Sequence, residues 1–151
     1  MPAKPVPDGF QTITPYLMVR DGTSLIEFAI QAFGAVATHC MRRPDGRIMH
    51  LQLQIGSSFV MLGEATEQWP AMPTGLYLYV EDADATFARA IEAGAKPLMP
   101  MMDHFWGDRM GGVVDSQGNQ WWIATHVEDV PEAELAERAK AAMAAGCQPP
   151  A

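Results

Sequence analysis

The stretch Tyr16-Leu17-Met18-Val19-Arg20-Asp21 returns 61 residues later as Tyr77-Leu78-Tyr79-Val80-Glu81-Asp82. Each copy alternates side chains as a strand does and ends in an acidic residue suited to capping a helix. Nearly the same offset relates residues of the following helices and turns: Ile30 to Ile91, and Gly56 to Gly118. A near-constant offset across strand, helix and turn indicates an internal duplication.

The first copy predicts a strand, a helix and three further strands. The helix is expected to bury a face carrying Ile26, Ile30 and Phe33, which recur at helical spacing before Gly34. His50-Leu-Gln-Leu-Gln-Ile alternates polar and apolar residues, as a half-buried strand does. The predicted strands are residues 12–19, 36–43, 50–55 and 59–63.

The second copy repeats this order after a Pro-containing linker. Asp82 or Asp84 is expected to cap its helix, and Gly94 to end it. We expect strands at 76–81, 96–99, 109–114 and 120–125, with a long loop holding His104, Phe105 and Trp106. The predicted fold is therefore α+β, built from two βαβββ modules. The expected boundaries are an extended arm at 1–11, modules at 12–63 and 75–126, a linker at 64–74, and a C-terminal helix and tail at 127–151.

The bulk properties argue against several classes of partner. The chain has 10 Lys and Arg against 18 Asp and Glu, with a formal net charge of −8. Binding to nucleic acid or to an anionic membrane requires clustered cations, so we expect neither partner. The first residues lack the apolar segment of a signal peptide, which favours a cytoplasmic location. Cys40 and Cys147 form no C-x-x-C motif and are expected to be free thiols.

Several stretches together resemble one known superfamily. They are Tyr16-Leu-Met-Val-Arg-Asp, Leu78-Tyr-Val-Glu-Asp-Ala-Asp-Ala-Thr-Phe, Phe105-Trp-Gly-Asp-Arg and Ala124-Thr-His-Val-Glu-Asp. The chain resembles the vicinal oxygen chelate superfamily, which includes glyoxalase I, extradiol dioxygenases and bleomycin-resistance proteins, and in particular its PhnB-like branch. The resemblance covers about residues 10 to 126. It implies curved mixed sheets around a cleft, and a homodimer in which modules of two chains often form the clefts.

The resemblance also locates the positions where metal enzymes of this superfamily carry their ligands. In this chain those positions hold Thr14, Met61, Gly75 and Trp122. Divalent ions of the hard or borderline type need carboxylate or imidazole donors, which none of these residues supplies. We therefore expect no metal and no cofactor.

Strand alternation then predicts which side chains line the cleft. If Met61 and Trp122 face it, so do Phe59, Gln120 and Tyr79, while Trp121 belongs to the core. His50, Gln52 and Gln54 fall on the same side of their strand and are either hydrogen-bonding groups or simply solvated. Trp106 and Arg109 are either a stacking wall with an anion donor, or structural parts of the loop. The predicted ligand-binding residues are Tyr16, His50, Gln52, Gln54, Phe59, Met61, Tyr79, Trp106, Arg109 and Trp122.

These expectations leave several functions open. The first is a metal-independent protein that binds an apolar or aromatic small molecule in a cleft lined by Tyr, Trp and Met. The second is a metal-dependent lyase or dioxygenase with ligands recruited from His50, His104 or Asp108. A metal-free acid–base enzyme using His104 or His50 is the third. A pure interaction module is the last, supported by the C-terminal helix with its stripe of Leu135, Ala139 and Met143.

Overall fold

The computed structural model describes residues 2–146. It contains eight strands and three helices in two successive βαβββ modules. The first module is β1 (Tyr16–Val19), α1 (Gly22–Phe33), β2 (Val36–Arg42), β3 (Ile48–Ile55) and β4 (Ser58–Glu64). The second is β5 (Gly75–Tyr79), α2 (Ala83–Glu92), β6 (Lys96–Asp103), β7 (Asp108–Val114) and β8 (Gln120–His126), followed by α3 (Glu132–Ala144).

Both modules have the same strand topology. The sheets run in the order β1-β4-β3-β2 and β5-β8-β7-β6, with the first strand of each module parallel to the last. This confirms the α+β fold with two mixed sheets. Tyr16 pairs with Met61 and Tyr77 with Trp122, so corresponding residues of the duplication occupy corresponding positions.

The α1 helix begins after Asp21, whose carboxylate accepts a hydrogen bond from the Ser24 amide, and Asp82 caps α2 in the same way. The expected buried face of α1 is partly wrong. Ile30 is 45% exposed, and the helix instead buries its neighbour Ala29 together with Leu25, Phe28 and Ala32. Those four positions also have helical spacing, and the large side chain of Phe28 decides which face turns inward.

Each helix covers one face of the sheet of its own module. The two helices contact each other, α1 packs on β3 and β4, and α2 packs on β6, β7 and β8. Trp121 of β8, which is 1% exposed, contacts Phe28 and Phe33 of α1 and so joins the modules into one core. Each sheet therefore covers the helices with one face and turns the other face away from the core.

The largest differences from the predicted strand boundaries lie at the first strand and around the β6–β7 connection. The first strand begins at Tyr16 rather than at Thr12. The sixth extends to Asp103 and the seventh starts at Asp108, so the expected long loop is a tight turn of residues 104–107. It closes through hydrogen bonds from the His104 amide to the Asp108 carbonyl and from the Gly107 amide to the His104 carbonyl.

The C-terminal helix α3 buries no residue of its own. It is held by Arg138, whose guanidinium bonds Glu128 at 2.6 and 2.8 Å. None of the helices in residues 2–146 has the length and apolar composition needed to cross a membrane.

Candidate functional site

Six of the predicted binding residues lie on the free face of the first sheet, opposite the helices. Tyr16, Met61 and Gln52 are direct neighbours across β1, β4 and β3. Gly63 allows the Tyr16 ring to lie close, because a Cβ there would stand 2.9 Å from the tyrosine hydroxyl. The members on this face are Tyr16, His50, Gln52, Gln54, Phe59 and Met61.

The free face of the second sheet presents an aromatic row. Tyr77 pairs with Trp122 and Tyr79 with Ala124, so both tyrosines share the face with Trp122. The indole of Trp122 covers Gly112, where a Cβ would come within 2.5 Å of the ring. Tyr77 is 41% and Tyr79 65% exposed. Tyr77 is not among the binding residues predicted from the sequence, although its position in the repeat matches Tyr16.

Asp108 is the centre of a hydrogen-bond network on this face. Its side chain is 2% exposed and accepts from Tyr77 Oη at 2.7 Å, Tyr79 Oη at 2.9 Å, Trp106 Nε1 at 3.0 Å and His126 Nδ1 at 2.9 Å. Spacing gives no signal for this network, because its members come from β5, β8 and the β6–β7 turn. The network holds the hydroxyl groups of Tyr77 and Tyr79 in place at one end of the aromatic row.

The network fixes the protonation of its members. Burial acts to raise the pKa of Asp108, but the hydrogen bonds from His126, Tyr77, Tyr79 and Trp106 together lower it below 3.8. Burial, and then the bond to Asp108, raises the pKa of both Tyr77 and Tyr79. Hydrogen bonds to Asp108 and Asp129 raise the pKa of His126 above 6.5. Near neutral pH the carboxylate is ionised and both tyrosines keep their protons.

Trp106 and His104 form a stacked pair in the β6–β7 turn. Their ring centroids are 4.3 Å apart and the planes differ by 22°. His104 is 7% exposed, its Nε2 lies 3.2 Å from the Met110 carbonyl oxygen, and its Nδ1 has no hydrogen-bond partner in the described chain. The histidine therefore packs against the indole and is largely shielded from solvent.

Arg109 does not lie with the other predicted binding residues. It belongs to the helix side of β7 and bonds Asp84 of α2 at 2.6 and 2.8 Å, and Asp103 at 3.2 Å. The expected donor to an anionic ligand is thus placed where it ties the second helix to its sheet.

Two sets of residues bear on a metal site: the positions that carry ligands in the metal enzymes, and the donors proposed from elsewhere in the chain. Neither set comes together as expected. Thr14 precedes β1, and the strand register places Tyr16 and Tyr77, rather than Thr14 and Gly75, directly opposite Met61 and Trp122. Within residues 2–146 no three His, Cys, Asp or Glu side chains form a group able to hold a metal ion. Among the described residues, the one side-chain hydrogen-bond partner of His50 is the Tyr16 hydroxyl, at 3.4 Å. Cys40 is an exposed free thiol, and Cys147 lies outside the described residues.

A groove of about 720 Å³ runs along the outer edge of β5. Phe59 of the first module and Tyr77 and Tyr79 of the second line it, together with residues 11 and 13–15, which precede β1. Its volume is in the range that encloses small molecules. Trp122 and Met61 lie outside the groove, on the free faces of the sheets.

The N-terminal arm covers part of the first sheet. Phe10 stacks on Phe59 with ring centroids 4.3 Å apart and planes 18° from parallel. Gly9 permits this approach, since a Cβ at that position would stand 3.0 Å from the Phe59 ring. An aromatic ring of the chain itself thus occupies one side of a predicted ligand wall.

Sequence comparison identifies the wider family. The Glyoxalase/Bleomycin resistance protein/Dioxygenase superfamily profile matches residues 10–123. An uncharacterised protein of Mycobacterium bovis is 34% identical over 134 residues, covering 82% of this chain and 88% of the relative. A second uncharacterised relative, from Mycobacterium tuberculosis, is also 34% identical over 134 residues. This match covers 82% of this chain and 79% of the relative.

Solved structures share the fold. TioX from Micromonospora sp. ML1 superposes with a TM-score of 0.62 at 23% identity, covering 76% of this chain and 99% of TioX. TnmS3 from Streptomyces sp. CB03234, an antibiotic-binding protein, gives 0.60 at 22% identity, with 77% and 98% coverage. The chain belongs to the Glyoxalase/Bleomycin resistance protein/Dioxygenase superfamily.

Proposed function

We propose that this protein binds a planar, apolar or aromatic small molecule without the help of a metal ion. The observation that carries the proposal is the aromatic and methionine composition of the free sheet faces, where Tyr77, Tyr79 and Trp122 form one wall and Phe59 and Met61 another. Such surfaces gain binding free energy by stacking and by adapting to ligand shape. The antibiotic-binding function of TnmS3 supports the same reading.

We further propose that a second copy of the chain completes the site. The two walls belong to different sheets of one molecule, and the groove along β5 collects only Phe59 and Tyr79 of the predicted set. Ligand sites usually bury most of the ligand surface, which an open sheet face cannot do. Pairing the first sheet of one copy with the second sheet of another would enclose a ligand between the walls and cover the exposed tyrosines.

Ligand binding is tested with a matched pair of variants. Wild type, Met61→Ala and Met143→Ala are titrated with 2-naphthol and followed by tryptophan fluorescence and thermal shift. Met143 is 62% exposed on α3, so it controls for the loss of a thioether elsewhere. Ligand at about 100 times its dissociation constant should stabilise the wild type by about 2.7 kcal/mol. We expect Met61→Ala to bind 2-naphthol more weakly than the wild type and Met143→Ala do. Equal affinities of all three proteins would contradict a binding site at Met61.

Metal independence and oligomeric state are tested by separate measurements. Binding of 2-naphthol should persist after dialysis against a chelator, and the purified protein should contain less than stoichiometric zinc, nickel, iron and manganese. Light scattering should give twice the 16.5 kDa mass of the chain. Loss of binding on chelation, restored by one metal, would instead favour a metal-dependent enzyme.

A further inference from the structure

The Asp108 network fixes the direction in which the tyrosine hydroxyls of the aromatic wall donate their hydrogen bonds. An ionised carboxylate has lone pairs and no proton, so every group bonded to it must donate. Tyr77 and Tyr79 both reach the same oxygen, Oδ2, at 2.7 and 2.9 Å. Trp106 can only donate, and it contacts that oxygen as well. The protons of both phenols are therefore directed inward, at a buried acceptor.

The outward side of each phenol is left with acceptor capacity alone. A tyrosine hydroxyl has one proton and two lone pairs, and here the proton is already used. Trp106 lies close enough to Tyr77, and Tyr77 to Tyr79, to affect the pKa of each phenol, but the only hydrogen bonds of normal geometry that the two hydroxyls make within the described chain are those to Asp108. Tyr79 is the more exposed of the two and also lines the β5 groove, so its oxygen is the one a ligand meets.

We propose that the site selects aromatic ligands carrying a hydrogen-bond donor, a phenolic hydroxyl or an N–H, which is directed at Tyr79 Oη. This inference rests on the proposed binding function and specifies its ligand class. A ligand lacking the donor would displace water from the tyrosine oxygen and leave that oxygen unpaired. Sites built around a polar group reject analogues that leave it unsatisfied, whereas added apolar bulk discriminates weakly.

The test uses two probes of the same ring system, 2-naphthol and 2-methoxynaphthalene. Both are uncharged at neutral pH, and the second differs by a methyl group that replaces the donor proton. Dissociation constants are measured by fluorescence titration for wild type, Tyr79→Phe and Ser116→Ala. Ser116 lies exposed in the β7–β8 turn, so its variant controls for removal of a hydroxyl away from the site.

Wild type and Ser116→Ala should bind 2-naphthol about tenfold more tightly than its methyl ether, and in Tyr79→Phe the ratio should fall to about one. Equal or reversed affinities in wild type, or an unchanged ratio in Tyr79→Phe, would overturn the inference while leaving small-molecule binding intact. Absence of binding by both probes would overturn the binding function, and the inference with it.

A second variant removes the buried acceptor without removing the tyrosine. In Asp108→Leu no carboxylate takes the phenolic protons, so the Tyr79 hydroxyl can turn its proton outward. The preference for 2-naphthol over the methyl ether should then shrink relative to wild type. A preference that stays at the wild-type ratio would place its origin outside the carboxylate.

Discussion

At the scale of single residues, Asp108 stabilises the second sheet more than its place at the start of a strand suggests. Four donors meet a carboxylate that is 2% exposed. Asp108→Ala would leave Tyr77 and Trp106 without an acceptor and create a small void. Because each partly buried donor left without a partner costs up to about 1–3 kcal/mol, the free energy of unfolding should fall by about 2 kcal/mol in urea titrations.

Asp129→Ala is the matched control for Asp108→Ala. Its carboxylate also bonds His126, at 2.8 Å, but its side chain is fully exposed. Exposed pairs of this kind contribute little, so the control should change stability by less than about 0.5 kcal/mol. Equal losses in the two variants would mean that Asp108 acts as an ordinary surface charge.

His126 should make stability depend on pH in a defined direction. Its hydrogen bonds to Asp108 and Asp129 raise its pKa in the folded protein above the ordinary value of 6.5. Protonated His126 therefore contributes its full stabilisation of the fold below pH 6.5, and this contribution is lost as pH rises through the pKa of His126 in the folded protein. Urea unfolding of wild type over a pH series should show stability declining above pH 6.5 by an amount that His126→Gln removes. His39→Asn, which retains the positive φ of 48° at that site, controls for loss of an imidazole elsewhere.

At the scale of elements, the β6–β7 turn depends on one glycine. Gly107 has φ +96°, and a Cβ there would collide with the backbone oxygen of Glu128. Gly46 has a similar φ of +86° but open space around it, so Gly46→Ala isolates the backbone cost. We expect a loss of about 1 kcal/mol for Gly46→Ala and at least about 3 kcal/mol for Gly107→Ala, measured by urea unfolding. Similar losses would show that the Glu128 contact relaxes freely.

The arm is a second element with a direct link to binding. Phe10→Ala removes the ring stacked on Phe59 and should lower stability by about 1 kcal/mol. It should also tighten 2-naphthol binding, because the exposed face of Phe59 becomes free for the ligand. Val6→Ala shortens another apolar side chain of the same arm without touching Phe59, and it should leave the affinity unchanged. Weaker binding in Phe10→Ala would mean instead that Phe10 belongs to the ligand wall.

The elements were more predictable from sequence than their contacts. The 61-residue offset, the Asp caps and the glycine turns are local signals, and they identified both modules. Alternation also separated Trp121 from Trp122 correctly, since neighbours on a strand face opposite sides. The Asp108 network and the ion pair of Arg109 with Asp84 depend on residues far apart in sequence, whose approach is set by packing. The spacing of residues along the sequence carries no information about such long-range contacts.

At the scale of the whole molecule, the duplication yields two similar sheets that differ in polarity. The first free face carries Gln52, Gln54 and His50, and the second carries tyrosines held by a buried carboxylate. A site between two copies would combine an amide-rich wall with an acceptor-bearing aromatic wall. A closed dimer would contain two such sites related by its symmetry axis, each with one wall from either copy.

This arrangement predicts complementation between two defective chains. Phe59→Ala damages the first module and Tyr79→Ala the second, so neither homodimer should bind 2-naphthol well. Co-expression gives mixed dimers in which one of the two sites has both walls intact, so about a quarter of all sites should regain wild-type affinity. Both residues also line the β5 groove of a single chain, where mixing restores nothing because every chain lacks one wall. Recovery in co-expressed protein, and its absence in the separate variants mixed without subunit exchange, would assign the site to the interface between two copies.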